Sequence, residues 1–279
     1  MKKIVAILDG LSYSSSTVEY AVFIAKQEKA HLVGVFPKDI NYRSYAYYDL
    51  VDETGIPDQE MKSFAEKDTH TMGKSIQQFE LACQQSGLNY SLHKDNDIAI
   101  EAVLHESIYA DLMIIESKEA FTRVKEEKPS HFLSQLFAEA VCPILVVPSE
   151  FTGISKSVLL YDGSPSSVHA IRMFDYTLSG LKHIPTEVVS VKSPKSSLHL
   201  PDGKLMKEFM KRHYPQATFQ VLKGIPWEVI PAYLQEESSD TVIVLGAYRR
   251  SRLSRWFYPS MADILLQELR SPLFIAHCK

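Results

Sequence analysis

The chain contains an internal duplication, and this feature restricts its fold more than any other. The first copy opens with an apolar run that ends in Asp9-Gly10, and the second opens with an apolar run that ends in Asp162-Gly163. Later the copies correspond without a gap: residues 110–115 match 239–244, and residues 141–147 match 270–276. The 279 residues are therefore expected to hold two copies of one fold.

Each half alternates short β-type runs with helical segments, which is the pattern of a parallel sheet covered by helices. In the first half we predict strands near residues 4–8, 31–36, 89–93, 112–115 and 144–147, and helices near 15–28, 58–86, 97–108 and 132–140. In the second half we predict strands at 158–161, 188–191, 218–222, 242–245 and 273–276, and helices near 168–178, 203–213, 227–236 and 260–269. We take Ser166 or Ser167 as the N-cap of the first of these helices. The predicted fold class is α/β, with two tandem, doubly wound, five-stranded parallel sheets.

The two copies meet at residues 148–155, a short segment with Pro and Gly and with neither a helical nor a strand period. This boundary predicts domains at residues 1–149 and 155–279, joined by a linker too short for independent tumbling. The halves differ most after the second strand of the first copy, where residues 42–48 include four tyrosines. Such rings are typical of a stacking or docking surface, and equally of a loop that packs over its own domain.

Charge is divided unevenly between the halves. Residues 1–150 hold 14 basic and 23 acidic residues, residues 151–279 hold 16 and 11, and the whole chain has a net charge of −4. The opposite signs favour docking of one half on the other. A pI of about 6.2 and a single basic cluster argue against a nucleic-acid-binding surface.

The sequence also bears on the compartment. It has no stretch that is long and apolar enough to span a bilayer, and its first residues lack the pattern of a signal peptide. Its three cysteines have no CxxC spacing, which favours a reducing compartment. We therefore expect a cytoplasmic protein without a membrane segment.

A set of motifs recurs in a fixed order. The first strand ends in Asp162-Gly163-Ser164, weakened to residues 9–12 in the first half; residues 222–226 read Leu-Lys-Gly-Ile-Pro; and Pro143 and Pro272 open the fifth strands. On these motifs each half resembles the universal stress protein domain, and the whole chain resembles the tandem two-domain form of that family. The resemblance implies Rossmann-like sheets of the adenine nucleotide alpha hydrolase-like type, with ATP bound in some members across the carboxyl ends of the strands.

The resemblance also implies which residues contact the ligand. They lie at the carboxyl ends of strands or at the following helix: Asp162, Val191, Gly224, Gly246 and Ser260 in the second half, and Asp9 in the first. The alternative for Asp9 and Asp162 is that each carboxylate caps the turn or helix that follows it. Likewise, Gly224 either shapes the ligand edge or only turns the chain.

ATP-binding members carry a G-x2-G-x9-G-[ST] loop after the fourth strand, whose glycines let backbone N–H groups surround the phosphates. In the second half this loop keeps Gly246 and Ser260 but has Arg249 and Pro259 at the other two glycine positions. In the first half the aligned positions are Ser117, Ala120, Ser130 and His131. We therefore expect the first half to be the less suited to bind a nucleotide in the family manner.

The loop of the second half has four arginines in seven residues, among them Arg249, Arg250 and Arg252. Guanidinium groups grip phosphate with two hydrogen bonds, so they are candidates to replace the lost backbone donors. The alternative is a solvated basic loop, or one that pairs with the acidic first half.

Catalytic motifs are missing from the sequence: there is no G-x-S-x-G, no H-E-x-x-H and no G-x-x-x-x-G-K-[ST]. His277 and Cys278 would supply two of the four ligands that a structural zinc site needs. We therefore predict a protein that is not an enzyme and has no metal site.

The predicted function is that of a non-catalytic stress-response protein that binds ATP or another small anionic ligand in its second half. The alternative is a ligand-free scaffold that acts through a protein partner. The fifth strands, near residues 144–147 and 273–276, are expected to pair within the chain and to give a pseudo-twofold monomer, with a homodimer of such chains as a further option.

Overall fold

A computed structural model describes residues 1–37, 58–94, 98–122, 126, 128–195, 199–246 and 260–276, with side chains of the second helix from residue 62 onward. The tyrosine-rich insertion at residues 42–48 and the pair His277-Cys278 lie outside these ranges. Within them, no helix is both long enough and apolar enough to cross a membrane.

The first half contains five strands and four helices among the described residues. The strands are β1 Lys3–Ile7, β2 His31–Val35, β3 Tyr90–His93, β4 Leu112–Glu116 and β5 Ile144–Val147; the helices are α1 Ser15–Glu28, α2 Asp58–Gln85, α3 Ala99–Ser107 and α4 His131–Glu139. These bounds agree with the predicted ones to within about two residues, because each element carries a clear hydrophobic period.

The second half repeats the order of elements. Its strands are β6 Lys156–Leu160, β7 Thr186–Lys192, β8 Thr218–Lys223, β9 Thr241–Gly246 and β10 Leu273–Ala276; its helices are α5 Pro165–Thr177, α6 Gly203–His213, α7 Pro226–Leu234 and α8 Met261–Glu268. A 3-10 turn, Ser179–Leu181, follows α5.

All ten strands belong to one sheet, with the order β3-β2-β1-β4-β5-β10-β9-β6-β7-β8. Pairing is parallel within each half, and β5 and β10 pair in the antiparallel direction, with Phe274 opposite Leu145. The predicted α/β class and the predicted pairing of the fifth strands within the chain are confirmed. Each half is doubly wound, because the strand order reverses beside its first strand.

Helices cover both faces of the sheet and bury two hydrophobic clusters, one on each face. The first cluster takes residues from α1, α2, α5 and α6, and the second takes residues from α3, α4, α7 and α8. Each cluster therefore contains side chains of both halves. The two copies share their cores across the β5–β10 seam, so a change at the seam affects both.

The start of α5 differs from the prediction. Its N-cap is Ser164, whose hydroxyl accepts a hydrogen bond from Ser167 N at 3.2 Å, so the prediction of Ser166 or Ser167 as N-cap is wrong. The helix begins earlier because Pro165 stands at its first position, where proline needs no hydrogen-bond donor and already has a helical φ.

Polar contacts also join the halves. Lys2 Nζ lies 2.6 Å from Glu28 Oε2 and donates to Thr177 O at 2.8 Å, while Glu28 Oε1 accepts from Gly180 N at 2.6 Å. The end of α1 is thereby tied to the end of α5. Because each of these groups has at least one partner in the other half, this contact resists separation of the halves.

The linker is docked on the domains rather than free. Tyr20 on α1 stacks edge-on against Phe151, with ring centroids 4.7 Å apart, and its hydroxyl lies 3.0 Å from Thr152 Oγ1. Thr152 Oγ1 donates in turn to Ser239 O at 3.0 Å. The linker thus bridges α1 and the segment before β9, as its short length requires.

Candidate functional site

The candidate site lies at the carboxyl ends of β6 and its neighbours in the second half. Asp162 follows β6, and its Oδ1 accepts a hydrogen bond from Ser164 N at 2.8 Å. Gly163, between them, has a φ of 85°, in the left-handed region that favours glycine. Asp-Gly-Ser therefore forms a tight turn that places an exposed carboxylate at the start of α5.

The charge of Asp162 is stabilised locally. Burial of part of the carboxyl raises its pKa, but hydrogen bonds from Ser164 and Ser167 outweigh this and hold the pKa below its usual value. The side chain is accordingly an anion at neutral pH. An exposed anion at this edge can accept hydrogen bonds from ligand hydroxyl groups.

Gly246 ends β9 in close contact with the first turn of α5. A Cβ at this position would lie 2.5 Å from Ser166 O and 2.6 Å from Ser166 Oγ, closer than real side chains approach. Glycine is therefore required here by packing, because it lets β9 and the N-terminus of α5 meet at the sheet edge.

Gly224 performs a similar function at the end of β8, three strands from β9 in the sheet order. Its φ is 144°, its N–H donates to Lys192 O at 3.0 Å, and a Cβ would lie 2.5 Å from Val229 Cγ1. The glycine turns the chain from β8 directly into α7. Val191, in the neighbouring strand β7, is partly buried against the second hydrophobic cluster and so contributes to packing at this edge.

Ser260 is the N-cap of α8. Its hydroxyl accepts from Ala262 N at 3.2 Å, and its own N–H donates to Asp263 Oδ2 at 2.9 Å. Ser260 and Asp263 thus form a capping box, which stabilises the start of α8. The predicted Arg249, Arg250 and Arg252 lie outside the described residues.

The first half builds the same turn. Asp9 Oδ1 accepts from Leu11 N at 2.7 Å, as Asp162 does from Ser164 N. Asp9, however, is 3% exposed, and the following Gly10 is covered by α2, whose Ser75 hydroxyl donates to Gly10 O at 2.8 Å. The shared turn is therefore covered in the first half.

Glu119 is a residue that the sequence reasoning missed. Its Oε1 accepts hydrogen bonds from Ala120 N at 3.1 Å and Phe121 N at 3.3 Å, so it occupies backbone donors of the segment that follows β4. Burial, and then the charge of Asp9, raises the pKa of Glu119 to about 8. The sequence did contain a signal for this residue, because Glu119 is an acidic residue within the segment that aligns with the glycine loop.

Further side chains occupy this edge of the first half. Ser130 caps α4, accepting from Leu133 N at 3.2 Å, and its hydroxyl donates to Glu119 O at 2.6 Å. Lys128 Nζ donates to Ser117 Oγ at 3.3 Å, and burial lowers the pKa of this lysine. The edge that corresponds to the candidate site is thus filled by the chain's own side chains.

Metal ligation finds no support in the described part of the chain, where no group of three or more His, Cys, Asp or Glu residues is placed to hold an ion. The second half places an exposed carboxylate, two glycines required at strand ends and the N-termini of α5, α7 and α8 along one edge of its sheet. Such an arrangement is suited to bind a polar ligand, because N–H groups at helix N-termini favour negative charge.

Comparison with solved structures shows which known fold this chain has. No family model matches the sequence, and no curated protein matches it. Among solved structures, a universal stress protein from Archaeoglobus fulgidus DSM 4304 is similar over 99% of this chain and 98% of its own, with a TM-score of 0.70 at 11% identity. A putative universal stress protein from Pseudomonas aeruginosa UCBPP-PA14 (TM-score 0.58, 16% identity) and a functionally unknown protein from P. aeruginosa PAO1 (0.58, 15%) each cover 99% of this chain and 92% of their own. The chain therefore has, over nearly its full length, the fold of the universal stress proteins.

Proposed function

We propose that this chain is a non-catalytic stress-response protein of the universal stress type, which binds ATP or another small anionic ligand in its second half. The observation that carries the proposal is the contrast between the two equivalent edges. Asp162 is exposed at its edge, whereas Asp9 is buried and Glu119 takes the neighbouring backbone donors. A ligand therefore has an accessible edge in one half of the molecule.

Ligand binding at this edge divides into two contacts. Asp162 supplies a carboxylate that accepts hydrogen bonds from hydroxyl groups of the ligand. Arg249, Arg250 and Arg252, in the loop that follows Gly246, supply cations for its phosphate or other anionic group. This role is proposed from the position of the arginines in the sequence. Their guanidinium groups would replace the backbone N–H donors that are lost because positions 249 and 259 are not glycine.

Thermal unfolding with ATP, ADP or AMP and Mg²⁺ tests this function. A ligand present at 100 times its dissociation constant adds about 2.7 kcal/mol to the free energy of unfolding, which raises the melting temperature measurably. The double variant Arg249→Ala/Arg252→Ala should lose the shift. The matched control is Lys204→Ala/Lys207→Ala, which removes two exposed cations of α6 and should keep it.

The outcomes are distinct. A shift that the arginine variant loses and the lysine variant keeps supports the proposed site. If no nucleotide shifts the wild-type transition up to millimolar concentration, the proposed binding of ATP is wrong.

A ligand-free scaffold is the second candidate, and one surface favours it. Four large apolar side chains are 55–66% exposed around the ends of α3, α4 and α5: Ile108, Tyr109, Val141 and Tyr176. Three of them line a cleft of about 250 Å³ to which both halves contribute. Exposed apolar clusters of this kind mark interaction sites. Sedimentation velocity of the wild type and of Val141→Asp would show whether the surface joins two copies of the chain.

We also propose that residues 1–149 and 155–279 are two domains that unfold together. The shared hydrophobic clusters and the β5–β10 pairing support this, because neither half can lose its structure without exposing the core of the other. Calorimetry should therefore record one transition, and two resolved transitions would contradict the coupling.

A further inference from the structure

The hydroxyl of Ser166, in the first turn of α5, is buried. Ser166 is 4% exposed, and its Oγ has no hydrogen-bond partner among the described residues. Leaving a buried hydroxyl unsatisfied destabilises a protein, so native structures rarely do so without a reason. A bound ligand that supplies the missing acceptor is such a reason.

Ser166 lies in the first turn of α5, beside the candidate site. The cap of this helix uses the N–H groups of Ser167 and Val168, which donate to the side chain and the carbonyl of Ser164. The N–H of Ser166 stands outside this cap. Backbone donors at a helix N-terminus, together with an unsatisfied hydroxyl, favour an oxygen atom with negative charge.

The hydroxyl faces the end of β9. A Cβ placed on Gly246 would lie 2.6 Å from Ser166 Oγ, so the hydroxyl is directed at the residue where the chain enters the arginine-rich loop. Asp162 is nearby and negative, because its carboxylate is held by Ser164 N. The ligand therefore needs a hydroxyl for Asp162 and an acceptor oxygen for Ser166, and a nucleotide offers both.

The first half shows what the same position does without a ligand. Ser16 occupies the equivalent place, two residues after the N-cap Ser14, and its hydroxyl donates to Pro148 O at 2.5 Å. This serine connects α1 to the residue that follows β5. The hydroxyl is used for structure in the first half, whereas in the second half it has no partner among the described residues.

On the basis of the nucleotide-binding function proposed above, we propose that Ser166 is a ligand-binding residue whose hydroxyl donates a hydrogen bond to an acceptor oxygen of the nucleotide. The α5 N-terminus adds its partial positive charge to the same oxygen. This contact would select ligands whose acceptor oxygen reaches the end of β9.

The test compares Ser166→Ala with Ser16→Ala in the full chain, by calorimetric titration with ATP and Mg²⁺ and by melting temperature without ligand. Ser166→Ala should weaken ATP binding about tenfold, since a hydrogen bond to a charged group is lost. Its melting temperature without ligand should stay the same or rise, because an unsatisfied buried hydroxyl is removed. Ser16→Ala should do the opposite, with a lower melting temperature and unchanged ATP affinity.

The results separate the two proposals. If the wild type binds ATP and Ser166→Ala binds it equally well, Ser166 has no role in binding, although the proposed function stands. A lower melting temperature of ligand-free Ser166→Ala would show that the hydroxyl already has a structural partner, and would also overturn the role. If the wild type binds no nucleotide, both proposals are wrong.

Discussion

The two halves of this protein place the same Asp-Gly turn at the same point of the same strand order, yet they surround it differently. Asp162 is exposed beside Gly246, while Asp9 is 3% exposed beside Glu119. The turn needs only local hydrogen bonds, from Leu11 N in one half and Ser164 N in the other. A duplicated fold thus keeps its local turns, while the residues that surround them change the chemistry of the edge.

The same contrast extends to the serines of the first helical turns. Ser14 and Ser164 both cap their helices, but Ser16 is bonded to Pro148 O and Ser166 has no partner among the described residues. Caps act within a few residues and persist through duplication. Contacts between distant segments differ between the halves, because they depend on the exact position of a second element.

The largest expected effect concerns a polar cluster of the second half. Asp175 is 1% exposed, lies 2.7 Å from His213 Nδ1 and 2.8 Å from Lys182 Nζ, and joins α5 to α6; the aligned residue of the first half is the buried Ala25. Asp175→Asn should destabilise the protein by about 3 kcal/mol, because Lys182 loses its buried counter-charge and His213 loses a charged hydrogen-bond partner. Urea denaturation measures this.

Glu208→Gln is the control for Asp175→Asn. It breaks the exposed ion pair of Glu208 with Arg212, which should cost less than about 0.5 kcal/mol. Equal effects of the two substitutions would show that burial of Asp175 does not strengthen its contacts.

The next largest effect on stability is expected at the end of β9, and the matching position at the end of β4 provides the comparison. Gly246→Ala should destabilise by about 2 kcal/mol, because the added Cβ meets backbone atoms of Ser166 that cannot move without shifting α5. Ser117→Ala, at the aligned position, removes a hydrogen bond with Lys128 and should cost about 1 kcal/mol or less. Denaturation midpoints compare the two variants. A tolerated alanine at 246 would mean that α5 and β9 do not require their close contact.

An effect of similar size in the first half depends on pH. Burial and the charge of Asp9 raise the pKa of Glu119 from 4.5 to about 8, so folding favours its protonated form. The stability from this group is complete below about pH 4.5 and is lost as the pH rises through about 8. Between pH 6 and 9 the wild type should lose on the order of 2 kcal/mol more than Glu119→Gln.

Urea midpoints at both pH values measure the difference, with Glu101→Gln, at an exposed site on α3, as the control that should follow the wild type. If Glu119→Gln keeps the wild-type pH dependence, Glu119 is ionised at neutral pH and does not share its surroundings with Asp9.

Much of the fold was predictable. The runs that form β1 to β10 are apolar enough to be recognised, and the duplication confirmed each assignment with a second copy. The start of α5 was misplaced because three serines compete for the cap, and the position of Pro165 decides among them. The turn at Asp162 was predictable as well, since Asp, Gly and Ser form turns through their own local hydrogen bonds.

The candidate site was predictable in part. Position in the strand order brought Asp162, Gly224 and Gly246 to one edge, as expected from the sequence. Val191 also packs against the second hydrophobic cluster and Ser260 also caps α8, and their ligand contacts stay predictions. Glu119 and Ser166 were missed, because a carboxyl group that takes backbone donors and a hydroxyl that lacks a partner are facts about neighbours distant in the chain.

The sequence by itself determined the two copies, their strands and helices, and the Asp-Gly turns, because hydrophobic period and turn chemistry act over a few residues. The tertiary structure decided which copy exposes the carboxylate of its Asp-Gly turn, through the burial of Asp9 in one half and the exposure of Asp162 in the other. The physical reason is that solvation and hydrogen-bond satisfaction depend on every segment that packs around a group. Equal motifs in one chain can therefore differ in exposure and in the groups that surround them.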